Sequence, residues 1–376
     1  MSSTQTFPKT MKAGVLESYE KGFQYVADHN VPEVGPDDVL VQVKAAGYCH
    51  TDLQVSEGVY SGAGAKPGMI GSHEPAGIVA KLGANAEKRG LLKVGDRVGS
   101  INTYHPCFKC QPCRNQGQQL CENVGGMLGV SGGKDAPKGK DGGFSEYMIA
   151  DDQVLKKVPD NIPFAEAAPL FCAGATTYGA ILASGAKSGE WVAHIGLGGL
   201  GLLGIQYSKA LGHKVVAIDN RKEAIQMAKE QIPNHLQADE YVLIDSEDAQ
   251  KKCTEELGGK FYDSNPGVDK VVINAEARHL VAFAQDFLRI GGVLVDVGLP
   301  SDGPLEVSPF PLSFKEQTVK GRLICTPDQS QDMVNLHSKN GCRTPIEQTF
   351  NIKDIHECQK RYKAKDLKGR LVVVFE

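Results

Sequence analysis

The pattern of apolar and polar residues changes character near residue 160. Before it, short apolar runs are punctuated by Gly and Pro. Val39–Val43 (VLVQV) follows the turn VGPDD, and Gly77–Lys81, Asp96–Val98 and Phe144–Ile149 each sit beside a glycine-containing break. Short runs between such breakers predict strands of a β-rich, loop-heavy domain. Residues 125–143 (GGMLGVSGGKDAPKGKDGG) are too rich in Gly and Lys to bury much, and read as an exposed loop.

From Glu166 onward, strand-length apolar runs alternate with helix-length segments. WVAHI, residues 199–211, KVVAID and residues 221–230 come first; YVLID, KVVINA and GVLVDVG follow, with LVAFAQDFLR among them. Such alternation predicts a parallel sheet covered on both faces. Near residue 345 the chain returns to a short helical stretch, Lys353–Lys363, and a last β run, RLVVVFE, able to rejoin the first domain's sheet.

Composition narrows the function classes. A chain of 376 residues favours two domains over one core. Its formal charge of −4 shows no basic excess, so neither nucleic acid nor an anionic membrane is an expected partner. No run reaches the roughly 18 apolar residues of a membrane span. The start, MSSTQTFPKTMKAGVLESY, lacks the apolar segment of a signal peptide. A cytoplasmic, reducing setting is therefore expected, where clustered cysteines favour metal or catalysis over disulfides.

The run WVAHIGLGGLGLLGIQYSKAL carries Gly196, Gly198 and Gly201 in G-x-G-x-x-G spacing, between a strand and an apolar helix. Gly196 suits the tight turn, Gly198 close approach of a pyrophosphate, and Gly201 tight helix–strand packing. Gly199 and Leu200 open the helix, whose N-terminal amides meet phosphate charge. Asp219 ends KVVAID at the position that accepts ribose hydroxyls and repels a 2′-phosphate, which predicts NAD over NADP. Arg221 is a counter-indication, since a nearby Arg can serve a 2′-phosphate.

Two sets of soft ligands differ in spacing. Cys107, Cys110, Cys113 and Cys121 lie within residues 105–121, HPCFKCQPCRNQGQQLC. Four thiolates on one loop close a tetrahedral shell, the character of structural Zn²⁺. Cys49 (GYCHTDL), His73–Glu74 (GSHEPAG) and Cys172 (LFCAGATTYGA) are scattered. Two thiolates and an imidazole would leave one position open, as a catalytic zinc requires, but spacing alone does not join them.

Five motifs in order, CHTD, HEPAG, the four-cysteine run, FCAGATTY and GLGGLG, resemble the zinc-dependent alcohol dehydrogenases of the medium-chain dehydrogenase/reductase superfamily, most closely the yeast-type members. The resemblance runs from about residue 11 to the C-terminus. It implies an α/β chain in which a Rossmann doubly wound parallel sheet is inserted into a GroES-like, β-rich catalytic domain. The implied boundaries are 1–160 with the zinc lobe at 105–121, 161–325 for the NAD domain, and 326–376 for the return.

The resemblance further implies two Zn²⁺ per chain, NAD, and a reversible alcohol–carbonyl reaction on a small molecule by a homodimer or homotetramer. It makes Cys49, His73 and Cys172 catalytic-zinc ligands, and the four lobe cysteines structural ones. Asp52 orients His73, Glu74 stands beside the metal, and Thr51 takes the alcohol proton. His50 and Arg370 contact the cofactor pyrophosphate.

This chain departs from the pattern in three ways. Ser72 replaces a glycine before the ligand His. Gln54 replaces the His that ends a proton relay, and an amide is no base near neutral pH, so protons are expected to leave by another route. Ser56, Tyr60 and Asn102 stand where ethanol-type members carry tryptophans, and the sole Trp here is Trp191. A pocket suited to substrates larger than ethanol is expected. The remaining cysteines, Cys253, Cys325, Cys342 and Cys358, have no ligand spacing. The competing readings are a polyol or cinnamyl-type dehydrogenase, a zinc-free quinone reductase, and a non-enzymatic protein with vestigial sites.

Overall fold

The computed structural model describes residues 7–132, 140–364 and 366–376. The chain divides into two compact units: Met1–Cys172 with Thr326–Val334 and Ile346–Glu376, and Ala173–Cys325 with Asn335–Pro345. Among the described residues no single helix is long and apolar enough to cross a membrane.

In the first unit, β1 (Thr10–Ser18) and β2 (Gly22–Asn30) form an antiparallel hairpin. The main sheet is built around β3 (Asp38–Tyr48), which pairs antiparallel with β4 (Pro75–Leu82), and β4 in turn with β5 (Arg97–Ser100). Val39, Val41 and Val43 alternate inward from β3 onto Phe23, Phe144 and Met148, as a period of two requires. The final run does rejoin this sheet: Arg370–Val374 pairs antiparallel with β3, Leu371 opposite Tyr48. Helix α1 (His50–Ser56) follows β3 directly, with Cys49 as its N-cap residue.

The reading of 125–143 as an exposed loop needs correction. Residues 133–139 lie outside the described residues, but the flanks are packed: Leu128 and Val130 belong to the core. The glycines there serve close approach. A Cβ on Gly129 or Gly142 would come within 2.4 or 2.0 Å of the Ser72 carbonyl oxygen, and Gly143 donates its N–H to that oxygen. Glycine content signalled backbone contact, not solvent.

The second unit contains six parallel strands. Their spatial order is Glu240–Leu243, Lys214–Asp219, Trp191–Ile195, Val268–Ile273, Leu288–Asp296 and Thr318–Gly321. In chain order these are the third, second, first, fourth, fifth and sixth, the doubly wound arrangement that opens a crevice between first and fourth. Val216, Ile218, Val271 and Leu294 are fully buried in its core. Trp191 lies at the start of the first strand, its ring 4.1 Å from that of Phe261. The four unassigned cysteines, Cys253, Cys325, Cys342 and Cys358, are all buried.

Candidate functional site

Sheet register gathers the scattered ligands of the first unit. Ala46 of β3 faces Pro75 of β4, and Tyr48 faces Leu371, so residues 49, 73–74 and 370 meet at one end of the sheet. Asp52, in the first turn of α1, ties them together. Its Oδ2 accepts the N–H of Cys49 at 2.8 Å, and its Oδ1 accepts the N–H of Ser72 at 3.0 Å. Oδ1 also lies 3.7 Å from His73 Nδ1, which leaves Nε2 as the ring nitrogen free to ligate. Cys172, ending the turn Ala168–Phe171, brings its Sγ to 3.9 Å from Cys49 Sγ.

Donor atoms of Cys49, His73, Glu74 and Cys172 all lie within 4.8 Å of one another. Two thiolates at tetrahedral zinc distances stand about 3.8 Å apart, so the sulfur spacing and the donor chemistry fit a zinc ion. Electrostatics agree. The Cys172 thiol, then His73, hold Cys49 well below the ordinary thiol range despite its burial, while the bond to Cys49 pushes Cys172 up.

Glu74 is the fourth possible donor, and one of its two carboxylate oxygens is engaged. Its Oε1 accepts a hydrogen bond from Arg370, itself only 6% exposed, while Oε2 has no protein partner. Burial pushes this carboxyl up to about 8 against the pull of Arg370. Room for it comes from Gly47, whose Cβ would sit 1.8 Å from Oε2.

Ser72 explains itself here. Its φ of +69° lies in the left-handed region, where glycine is at ease and most residues cost about 1–2 kcal/mol. Besides the bond to Asp52, its hydroxyl donates to the Gly47 carbonyl at 2.9 Å and accepts the Glu74 N–H at 3.2 Å. The serine holds by hydrogen bonds a turn that a glycine would adopt freely. His50 and Thr51 open α1, both half-buried. Further along α1, Gln54 Oε1 lies 3.4 Å from the Tyr60 hydroxyl, whereas Ser56 and Asn102 are buried.

The second cluster is local. The sulfurs of Cys107, Cys110, Cys113 and Cys121 also lie within 4.8 Å of one another, with Cys110 Sγ 3.9 Å from Cys121 Sγ. Backbone N–H groups aim at these sulfurs: Cys107 and Asn123 donate to Cys121, and Cys110 to Cys107. Such donors favour thiolate, and backbone N–H groups hold Cys107 down at about 6.

In the second unit, a cleft of about 400 Å³ opens at the strand-order reversal, lined by Gly196, Gly198, Asp219, Arg221 and Asn274 among others. Gly196 has φ +89°, and a Cβ on Gly201 would come within 1.9 Å of the Gly196 carbonyl oxygen. Nothing lies within 4 Å of a Gly198 Cβ, so this backbone faces open space. Gly199 and Leu200 begin the helix Gly199–Ala210, whose N-cap, Gly198, offers no side-chain cap to its first amides. Asp219 is 5% exposed and accepts the N–H groups of Leu197 and Arg221.

Residues 35–160 match the alcohol dehydrogenase GroES-like domain, and residues 199–339 the zinc-binding dehydrogenase model. An alcohol dehydrogenase of Geobacillus stearothermophilus is 34% identical over 363 residues, 96% of this chain and 99% of the relative. The chain belongs to the zinc-type alcohol dehydrogenase family. Among solved structures, the alcohol dehydrogenase of Aeropyrum pernix has a TM-score of 0.81 at 26% identity, with 97% and 100% of the two chains covered. CAD from Helicobacter pylori, complexed with NADP(H), has a TM-score of 0.77 at 25% identity, with 97% and 98% covered.

Within this alcohol dehydrogenase framework, sequence reasoning assigned Arg370 to the cofactor and did not foresee its buried pair with Glu74. It also passed over Gly47. The available signal was the run AAGYCH, where a glycine two residues before a ligand Cys marks a crowded backbone.

Proposed function

We propose that this chain is a zinc-dependent, NAD-linked dehydrogenase that interconverts alcohols larger than ethanol with their aldehydes or ketones. The observation that carries the proposal is the convergence of Cys49, His73 and Cys172, beside a Glu74 that is paired through Oε1 with Arg370. Two thiolates and an imidazole from separate segments leave a tetrahedral position for substrate, whereas the four lobe cysteines would form a closed site. A zinc ion held by Cys49, His73 and Cys172 would supply Lewis acidity and lower the pKa of an alcohol oxygen. Asp52 orients the His73 ring, and the Thr51 hydroxyl relays the alcohol proton, accepting it while passing its own to water, since Gln54 is no base. Gly196, Gly198, Gly199, Leu200, Gly201 and Asp219 hold the dinucleotide, with His50 a donor to its pyrophosphate.

Cofactor choice rests on Asp219. Its carboxylate lines the cleft, where ribose hydroxyls would add to the backbone N–H groups it already accepts, and Arg221 Nε, 3.6 Å from it, partly offsets its charge. The expected result is a kcat/KM for NAD above that for NADP. Asp219→Ala should lower the NAD value by about 10–100-fold, the loss of hydrogen bonds to a charged group at about 1.5–3 kcal/mol. Equal use of both cofactors by the wild type would sink the NAD assignment. Substrate size is read from a panel of primary and secondary alcohols with NAD, and of carbonyls with NADH. A maximum at ethanol would contradict the wide-pocket reading.

Self-association is supported by the edge of the second unit's sheet. Thr318–Gly321 pairs with Leu288–Asp296 on one side and among the described residues has no partner strand on the other, and nearby in sequence Leu299, Phe310 and Phe314 are 64%, 66% and 74% exposed. A two-fold pairing of like edges would cover them. Light scattering should give a multiple of 40.3 kDa; a monomer at micromolar concentration contradicts it.

A further inference from the structure

At the far end of β3 from the ligand site, two carboxylates face each other. Asp38 stands in register with Asp151 of the strand Tyr147–Asp151, and the Asp151 side chain is fully buried. Like charges directly opposite in an antiparallel pair destabilise it, and two further acids, Asp37 and Asp152, flank them. Arg89 serves the outer pair, bonding to both Asp37 and Asp152. The inner pair has a different partner. His105 Nε2 lies 2.9 Å from Asp38 Oδ1, and Nδ1 lies 3.2 Å from Asp151 Oδ2. Nε2 is hydrogen-bonded to Asp38, while Nδ1 meets Asp151 Oδ2 at ion-pair distance without a hydrogen bond, so the ring bridges the two acids by contact. The Tyr104 hydroxyl adds a bond to Asp38 at 2.6 Å.

His105 is also the root of the four-cysteine lobe. Its φ is +47°, a left-handed conformation that a histidine holds only when its surroundings impose it. Cys107 follows two residues later. The lobe's own regular structure is one helical turn, Gln111–Asn115, and a shorter one, Gln118–Leu120, too little to be stable alone. We propose that His105 is a positioning residue for the lobe: by bridging Asp38 and Asp151 it pins the turn that presents Cys107 and Cys110 to their metal. The proposal rests on the reading of the four cysteines as a zinc site.

The test uses the full-length, metal-loaded protein, challenged with a chelator while alkylation of each cysteine is followed by mass spectrometry. His105→Gly removes the bridge and suits the positive φ. Alkylation of Cys107, Cys110, Cys113 and Cys121 should then accelerate about tenfold or more, the usual effect of losing an outer support of a metal site. Cys49 and Cys172 should keep the wild-type rate. His105→Arg, which can donate to both carboxylates, should restore most of the protection. Should His105→Gly fail to fold, Asp38→Asn decides, with a smaller acceleration expected at the same four thiols. Unchanged lobe rates overturn the proposal, as does equal acceleration at Cys49 and Cys172, which would signify general loosening. Wild-type lobe thiols unprotected by metal would overturn the zinc reading along with it; protected wild-type thiols with indifferent variants overturn only the role of His105.

Discussion

His73→Ala and Cys172→Ala are expected to lose turnover while the protein stays folded and retains one metal per chain. Each removes one of the three proposed ligands of the open zinc site. Glu74, the neighbouring acid, is buried and paired through Oε1 with Arg370, and its one remaining carboxylate oxygen is a harder donor than the thiolate or imidazole lost. Lewis-acid stabilisation is worth several kcal/mol, so the loss in kcat is about 10³-fold or more. The lobe cysteines lie on a separate segment and should keep their metal. Elemental analysis therefore reads one zinc in place of two, alongside the rate. Full NADH production by either variant, or loss of both metals together, contradicts the division of the cysteines into an open and a closed site.

Gly201→Val should abolish cofactor binding by a different route. A Cβ there would lie 1.9 Å from the Gly196 carbonyl oxygen, backbone against backbone, so the turn must open. Gly196 cannot yield easily, because its own Cβ position is closed by Ala275 at 2.7 Å. The nicotinamide KM is expected to rise at least about 100-fold, since a displacement of about 1 Å in a positioned site costs that much. Gly198→Ala sharpens the test. No protein atom lies within 4 Å of that Cβ, so thermal stability should be unchanged while NADH binding, read by fluorescence, weakens. A destabilised Gly198→Ala protein with normal NADH affinity would mean that this glycine serves the fold and not a ligand.

The second unit was legible because its strands are buried on both faces and read as continuous apolar runs, KVVAID and KVVINA, between helix-length segments. Its edge strand, TVKG, was not: four residues with one half-buried apolar side chain carry no period. The four-cysteine lobe was legible because its ligands are neighbours in sequence. Cys49, His73 and Cys172 were joined only by resemblance, since their meeting depends on the register of β3 against β4, and spacing along the chain does not encode register.

Ser72 and the segment after Gly125 show the opposite failure. Glycines beside a lysine-rich stretch read as solvent-exposed, yet Gly129 and Gly142 are glycines because the Ser72 backbone lies against them. That turn in turn orders Asp52, His73 and Glu74. The Glu74–Arg370 pair spans 296 residues of sequence, and no local pattern announces it.

The most direct test of the central claim is the absorbance of NADH formed from NAD and an alcohol panel by the metal-loaded protein, before and after selective removal of the more labile zinc. NADH formation is expected with at least one alcohol larger than ethanol, lost on removal of that zinc and restored by its return. Turnover that persists with only the lobe metal present, or no turnover with any alcohol or carbonyl by protein carrying both metals, would contradict it.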